Sequence, residues 1–174
     1  MVYTLLREHY VEDEHGIFRF DYPVALLRWV LQVPGYNKDW HVGVKAAGKD
    51  KLLAFISGTP RRMQVNENTL KVGCINFLCI HKQLRQKKLA PIMIKEITRR
   101  VNLSGVWQAY YTSGTTIPHP FSQAQYFHRT LNPKKVVEVG FSDCPKNTPL
   151  ARYCKMLKLH DKNQINIEGT PRLM

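Results

Sequence analysis

The sequence predicts an α+β fold, a three-layer mixed sheet formed as one domain over residues 1–174. The first observation behind this is order: strand-forming stretches lie on both sides of a helix-forming segment. The second is the run Cys74-Ile75-Asn76-Phe77-Leu78-Cys79-Ile80, nearly all apolar, which reads as a central strand buried on both faces. The third is size. A chain of 174 residues, 44% hydrophobic and 22% charged, can bury a sizeable core and is neither disordered nor fibrous in composition.

The elements follow in order. A helix is expected from Pro23 to Gln32, with Pro23 in its first turn, Pro34-Gly35 as its stop, and Leu26, Leu27, Val30 and Leu31 at helical spacing. Strands at Trp40–Lys45 and Leu52–Ser57 flank the turn Gly48-Lys49-Asp50-Lys51. Strands at Gln64–Val65 and Lys71–Ile80 flank a second turn, Asn66-Glu67-Asn68-Thr69. The basic turn Lys82–Lys88 leads into a helix over Leu89–Val101, where Ile94, Ile97 and Val101 form a stripe and Ser104-Gly105 ends it. A strand at Gln108–Thr112, a proline-rich loop, and strands at Val136–Phe141 and Tyr153–Leu159 complete the expectation.

Charge is the abnormal figure. Lys and Arg number 26 against 13 acids, a net charge of +13. Such an excess suits a polyanion, either nucleic acid or a phosphorylated cofactor. No interleaved aromatic and basic stacking surface supports nucleic acid, so no nucleic-acid partner is expected. No apolar run approaches the roughly 20 residues that span a bilayer. The start, Met1-Val2-Tyr3-Thr4, shows neither a signal-peptide core nor a glycine for lipidation, and the expected location is cytoplasmic. Cysteines 74, 79, 144 and 154 match no zinc spacing, so reduced thiols and no metal site are expected.

The sharpest local signal is the strand-turn-helix unit from Gly73 to Val101. Arg85-Gln86-Lys87-Lys88-Leu89-Ala90 falls where unsatisfied N–H groups open a helix, a geometry that holds pyrophosphate. The spacing Arg-x-x-Lys-x-Ala is similar to the acyl-CoA signature of the acetyltransferase (GNAT-type) superfold. A solvated basic turn is the alternative reading of that hexapeptide alone.

Longer blocks carry more. Asn76-Phe77-Leu78-Cys79-Ile80-His81-Lys82-x-Leu84-Arg85-x-Lys87-x-x-Ala90-Pro91, continuing through Glu96-Ile97-Thr98-Arg99-Arg100-Val101, closely resembles the eukaryotic-type N-myristoyltransferases. Tyr10-Val11-Glu12-Asp13, Phe18-Arg19-Phe20-Asp21-Tyr22 and Trp40-His41-x-Gly43-Val44 match upstream, in order. Tyr111-Thr112-x-Gly114, Tyr126-x-His128-Arg129-x-Leu131-Asn132-Pro133-x-Lys135 and Arg172-x-Met174 match downstream. The resemblance covers essentially the whole chain. It corresponds to the N-terminal, acyl-CoA-binding half of enzymes about twice as long, whose terminal carboxylate is the usual candidate for the general base.

The resemblance implies transfer of a myristoyl group from myristoyl-CoA to the N-terminal glycine amine of a peptide or protein. The alternative is a non-catalytic acyl-CoA- or peptide-binding domain. By resemblance, the backbone N–H groups of Phe77 and Leu78 are oxyanion donors, and Asn76 and Thr112 orient the reacting amine. Both polar side chains are expected inside otherwise apolar strands, where they must either bond internally or face a site. Cofactor contacts fall on Phe77, Leu78, Cys79 and Ile80, with Arg85, Gln86, Lys87, Lys88, Ala90 and Pro91 as the CoA phosphate cradle. Peptide contacts fall on Tyr10, Asp13, Phe18, Phe20, Tyr22, Thr112, Gly114, Tyr126 and His128. The family's second half also makes a homodimer an expectation, a second copy covering the surface that half would cover.

Overall fold

An eight-residue helix, α1 (Val2–His9), opens the chain. It has no counterpart among the expected elements, and Leu5 and Leu6 on it are buried. The second helix, α2 (Val24–Leu31), falls within its predicted span, with Pro23 as the extended N-cap rather than inside the first turn. A single 3₁₀ turn, Lys38–Trp40, precedes the sheet, so Trp40 lies just outside the first strand. The structure, a computed structural model, describes residues 1–12, 16 and 18–158.

The sheet has four strands in the order β1 (His41–Lys45), β2 (Leu52–Val65), β3 (Asn68–Ile80) and β4 (Gln108–Tyr110). The first three run antiparallel and β4 joins β3 in parallel, giving the mixed sheet expected. Where two strands were predicted at Leu52–Ser57 and Gln64–Val65, β2 is continuous through Gly58 and Pro60. Proline is tolerated there because β1 pairs as far as Ser57, and beyond it no described strand lies on that side of β2. The second hairpin is tighter than expected: Val65 pairs with Asn68, and Asn66 takes φ 53 in the two-residue turn.

Side-chain alternation along β2 and β3 splits the core into two faces. On one, Trp40, Val42, Ala54, Ile56 and Ile80 pack against Met93, Ile97 and Val101 of α3 (Leu89–Leu103). On the other, Phe55, Phe77 and Cys79 pack against Leu5 and Leu6 of α1 and Leu27 and Leu31 of α2. The last residues of β3 are therefore covered from both sides, as their apolar run implies. The stripe on α3 is shifted from the expected one: Met93 is in the core and Ile94 is 48% exposed.

The chain divides into two compact units, Met1–Pro118 and His119–Met174. In the second, the predicted strand at Val136–Phe141 is replaced by a helix, α4 (Pro133–Glu138). Pro133 suits a first turn, and the Asn132 side chain accepts a hydrogen bond from Lys135 N–H, a cap that outweighs the β-branched Val136-Val137 pair. Tyr153 and its neighbours likewise form a helix, α5 (Leu150–Met156), after the N-cap Pro149. Leu159, the predicted end of that strand, lies outside the described residues, as do Asp13 and Arg172–Met174.

Candidate functional site

The site grows from an irregularity in β3. Phe55 pairs with Cys79 but Ser57 pairs with Asn76, so Phe77 and Leu78 together oppose Ile56. This is a β-bulge, which re-aims backbone groups and ends regular pairing. Phe77 adopts φ 55, a left-handed conformation costing about 1–3 kcal/mol for a bulky residue. Burial of its ring among Leu5, Leu6, Leu27, Leu31 and Phe55 holds it there. The Ser57 hydroxyl donates to the Asn76 carbonyl at 3.0 Å, and the Phe77 N–H donates to the Asn76 side-chain oxygen at 2.8 Å.

The bulge faces a gap. β4 pairs with β3 at Val72, Gly73 and Cys74, so from Ile75 onward that edge of β3 has no neighbouring strand among the described residues. The His81 N–H donates to Leu53 on β2, and alternation turns the N–H groups of Ile80 and Leu78 toward the open edge.

A pocket of about 320 Å³ occupies this region, lined by His9, Tyr10, Val11, Leu78, Cys79, Ile80, Arg85 and Ala90. Leu78, Cys79, Ile80, Arg85 and Ala90 are thus brought together as the sequence grouped them. His9 and Val11 were missed, because α1 was not read as an element; its Leu5-Leu6 pair preceding basic residues was the available signal. Cys79 is a neutral wall. Its thiol donates to Leu5 O at 3.8 Å, and burial pushes its pKa up to about 11.

The basic turn forms a 3₁₀ segment, Lys82–Lys87, capped by the His81 side chain accepting from Gln83 N–H. Lys88 then takes φ 55 and serves as the N-cap of α3 without a side-chain cap bond. Helix geometry leaves the first-turn N–H groups without intrahelical acceptors, and the dipole adds positive potential. Gln86, Lys87, Lys88 and Pro91 are exposed around that end, while Ala90 is half-buried at the pocket.

Arg85 does more than carry charge. Its Nη2 donates to the carbonyl of His9 at 2.6 Å and its Nε to that of Ile80 at 3.5 Å, fastening the C-terminal end of α1 to β3. Lys82 pairs with Glu12 at 2.7 Å and Arg19 with the same carboxylate at 3.2 Å. These bonds hold the Glu12 carboxyl below the usual range, the Lys82 bond foremost. The His9 and His81 rings lie 4.0 Å apart. Burial, then the neighbouring His81, lowers the His9 pKa, and its buried Nδ1 has no hydrogen-bond partner among the described residues.

The expected peptide wall gathers against the bulge. Tyr10 and Tyr22 lie 6.0 and 5.9 Å from the Phe77 ring, and Phe20 stacks on Tyr22 at 5.5 Å. Burial, with Tyr22 beside it, raises the Tyr10 pKa and keeps the phenol protonated. Phe18 is half-buried. Asn76 lies in β3 as expected, exposed and bonded to the Phe77 N–H, whereas Thr112 is exposed and follows β4 rather than lying in it. The strand ends at Tyr110, which is the partner of Cys74, the last β3 residue it pairs with. Gly114 has no atom of the described residues within 4 Å of where a Cβ would stand. Tyr126 and His128 are exposed residues of the second unit. Among the described residues no group of side chains could hold a metal ion, and no helix is long and apolar enough to cross a membrane.

The family described as "Myristoyl-CoA:protein N-myristoyltransferase, N-terminal domain" matches residues 1–124. The chain is 52% identical over 160 residues to glycylpeptide N-tetradecanoyltransferase 1 of Arabidopsis thaliana, covering 92% of this chain and 37% of that protein. Against the Plasmodium falciparum glycylpeptide N-tetradecanoyltransferase the identity is 49% over 173 residues, 99% of this chain and 42% of the relative. The crystal structure of Saccharomyces cerevisiae N-myristoyltransferase with bound myristoyl-CoA superposes with a TM-score of 0.81 at 46% identity, over 89% of this chain and 37% of that one.

Proposed function

The chain belongs to the myristoyl-CoA:protein N-myristoyltransferase family, and on that premise we propose that it binds myristoyl-CoA and takes part in passing the acyl chain to an N-terminal glycine amine. The observation that carries this reading is the bulge in β3 opening onto the 320 Å³ pocket at the start of α3. An acyl-CoA needs three things from a protein: cations and N–H donors for its phosphates, an apolar channel, and donors at its thioester oxygen. The turn from Arg85 to Lys88 supplies the first. Leu78, Cys79 and Ile80 supply apolar lining. The N–H groups of Phe77 and Leu78 supply the third.

In this reading the amine nitrogen attacks the thioester carbon, the carbonyl electrons move onto oxygen at the bulge, and collapse expels the CoA thiolate. The amide forms as the C–S bond breaks, and the amine's proton leaves for an acceptor. A terminal amine has a pKa near 8, so a weak acceptor suffices near neutrality. Tyr10, Phe20 and Tyr22 form an aromatic wall beside this centre, suited to an extended peptide. The single domain and a homodimeric assembly belong to the same proposal.

The test is a transfer assay with myristoyl-CoA and a glycine-initiated peptide, run beside the same peptide with its amine blocked. Acylation of the free amine alone is the expected result. Binding of myristoyl-CoA without transfer assigns the chain a donor-binding role, and no binding overturns the proposal.

A further inference from the structure

The Phe77 N–H, one of the donors assigned to the thioester oxygen, is already engaged. It donates to Oδ1 of Asn76 at 2.8 Å. The contact lies at the bulge, where Phe77 takes φ 55 and the pairing with β2 is broken, and the Asn76 side chain reaches across one peptide unit to meet the N–H. The backbone carbonyl of Asn76 is separately bonded to Ser57 Oγ, so the side chain and main chain of this residue serve different partners.

A carboxamide oxygen is neutral, planar and sp², the closest match among protein side chains to a thioester carbonyl oxygen. Two such oxygens compete when they approach one donor along the same direction. Asn76 is exposed, so its side chain can rotate into solvent without opening the core. We propose that the Asn76 carboxamide is a built-in surrogate for the acyl donor's carbonyl, capping the Phe77 N–H until a thioester displaces it. This rests on the acyl-CoA reading above and adds to it a positioning role for Asn76 in the ligand-free protein. The cap keeps the donor on its left-handed backbone in the orientation a carbonyl will use, at the cost of one hydrogen bond to be exchanged.

The exchange predicts a selective effect. Replacing an internal cap by water should strengthen binding only of ligands that use the N–H, by roughly twofold to tenfold. The probes are myristoyl-CoA and its thioether analogue S-tetradecyl-CoA, which differs by lacking the carbonyl. Titrated against Asn76→Ala, myristoyl-CoA should bind more tightly while the thioether is unchanged. Asn76→Asp, whose charge strengthens the cap and repels a carbonyl oxygen, should weaken myristoyl-CoA about tenfold and spare the thioether. In the free protein, the Phe77 amide should exchange faster in Asn76→Ala than in the unaltered chain. Equal changes for the two ligands, or weaker binding of myristoyl-CoA to Asn76→Ala, overturn the surrogate and leave the acyl-CoA reading standing. If neither ligand binds the unaltered protein, the acyl-CoA reading falls and the surrogate with it.

Discussion

His9 shows how a residue with no motif comes to matter. It ends α1, lines the pocket, and meets the His81 ring at a tilt of 43°. Lys51, Lys82 and His81 oppose its protonation and Glu8 favours it, with burial the largest influence. His41, stacked on Tyr36 at 5.8 Å, is also held neutral by burial, against a backbone bond to Leu31. For both histidines the folded-state pKa lies below the ordinary 6.5. The unfolded chain therefore takes up protons first as pH falls through 6.5, and stability present above that value is lost below it until the native rings also protonate. Urea unfolding at pH 7.5 and at pH 5.5 should show this loss, and His9→Gln with His41→Gln should flatten it. An unchanged pH slope in the double variant would remove these rings from the account. None of this was legible in the sequence, because a histidine's burial depends on elements brought from elsewhere in the chain. The candidate residues that were legible, Leu78 to Ile80 with Arg85 and Ala90, are close in sequence and lie on one strand-turn-helix unit.

At the scale of elements, patterning worked where a segment's own residues decide its form and failed where neighbours do. Helix α3 was placed to within its last turn, because Pro91 and Ser104-Gly105 punctuate it locally. Its buried stripe was misjudged by one position. Met93 and Ile94 are adjacent, and which one faces the sheet depends on the left-handed Lys88 that sets the helix's entry. Met93 is 1% exposed, so Met93→Ala should cost about 2–5 kcal/mol, while Ile94→Ala should stay within about 0.5 kcal/mol. Chemical denaturation of the two variants decides between them, and comparable losses would place the stripe where the spacing first put it. The helices α4 and α5 were read as strands for a related reason. Val136, Val137 and Tyr153 favour strands, but Asn132-Pro133 and Pro149 open helices, and among the described residues of the second unit no strand is present to reward the extended form.

At the scale of the molecule, apolar burial is distributed unequally. Every buried hydrophobic residue among those described lies between Leu5 and Val101, within the unit Met1–Pro118. In the second unit, Phe121, Tyr126, Phe127, Leu131 and Phe141 are between 65% and 85% exposed. Folding stability follows apolar area removed from water, at roughly 25 cal/mol per Å², so the first unit holds nearly all of that contribution. The bulge and the pocket lie in the same unit, together with the Arg85 bonds that fasten α1. A chain ending at Pro118 should therefore unfold cooperatively, with stability within about 1 kcal/mol of the full chain, a shift in Tm of roughly 2–8 °C. It should also keep its affinity for myristoyl-CoA, because each proposed donor contact precedes Pro118. Calorimetry and a titration on the two chains check both statements. Loss of cooperative unfolding on truncation would mean that residues after Pro118 complete a core whose burial in the first unit is not self-sufficient. Retained stability with lost affinity would instead move part of the donor site into His119–Met174, where the exposed aromatic residues would be the first positions to substitute.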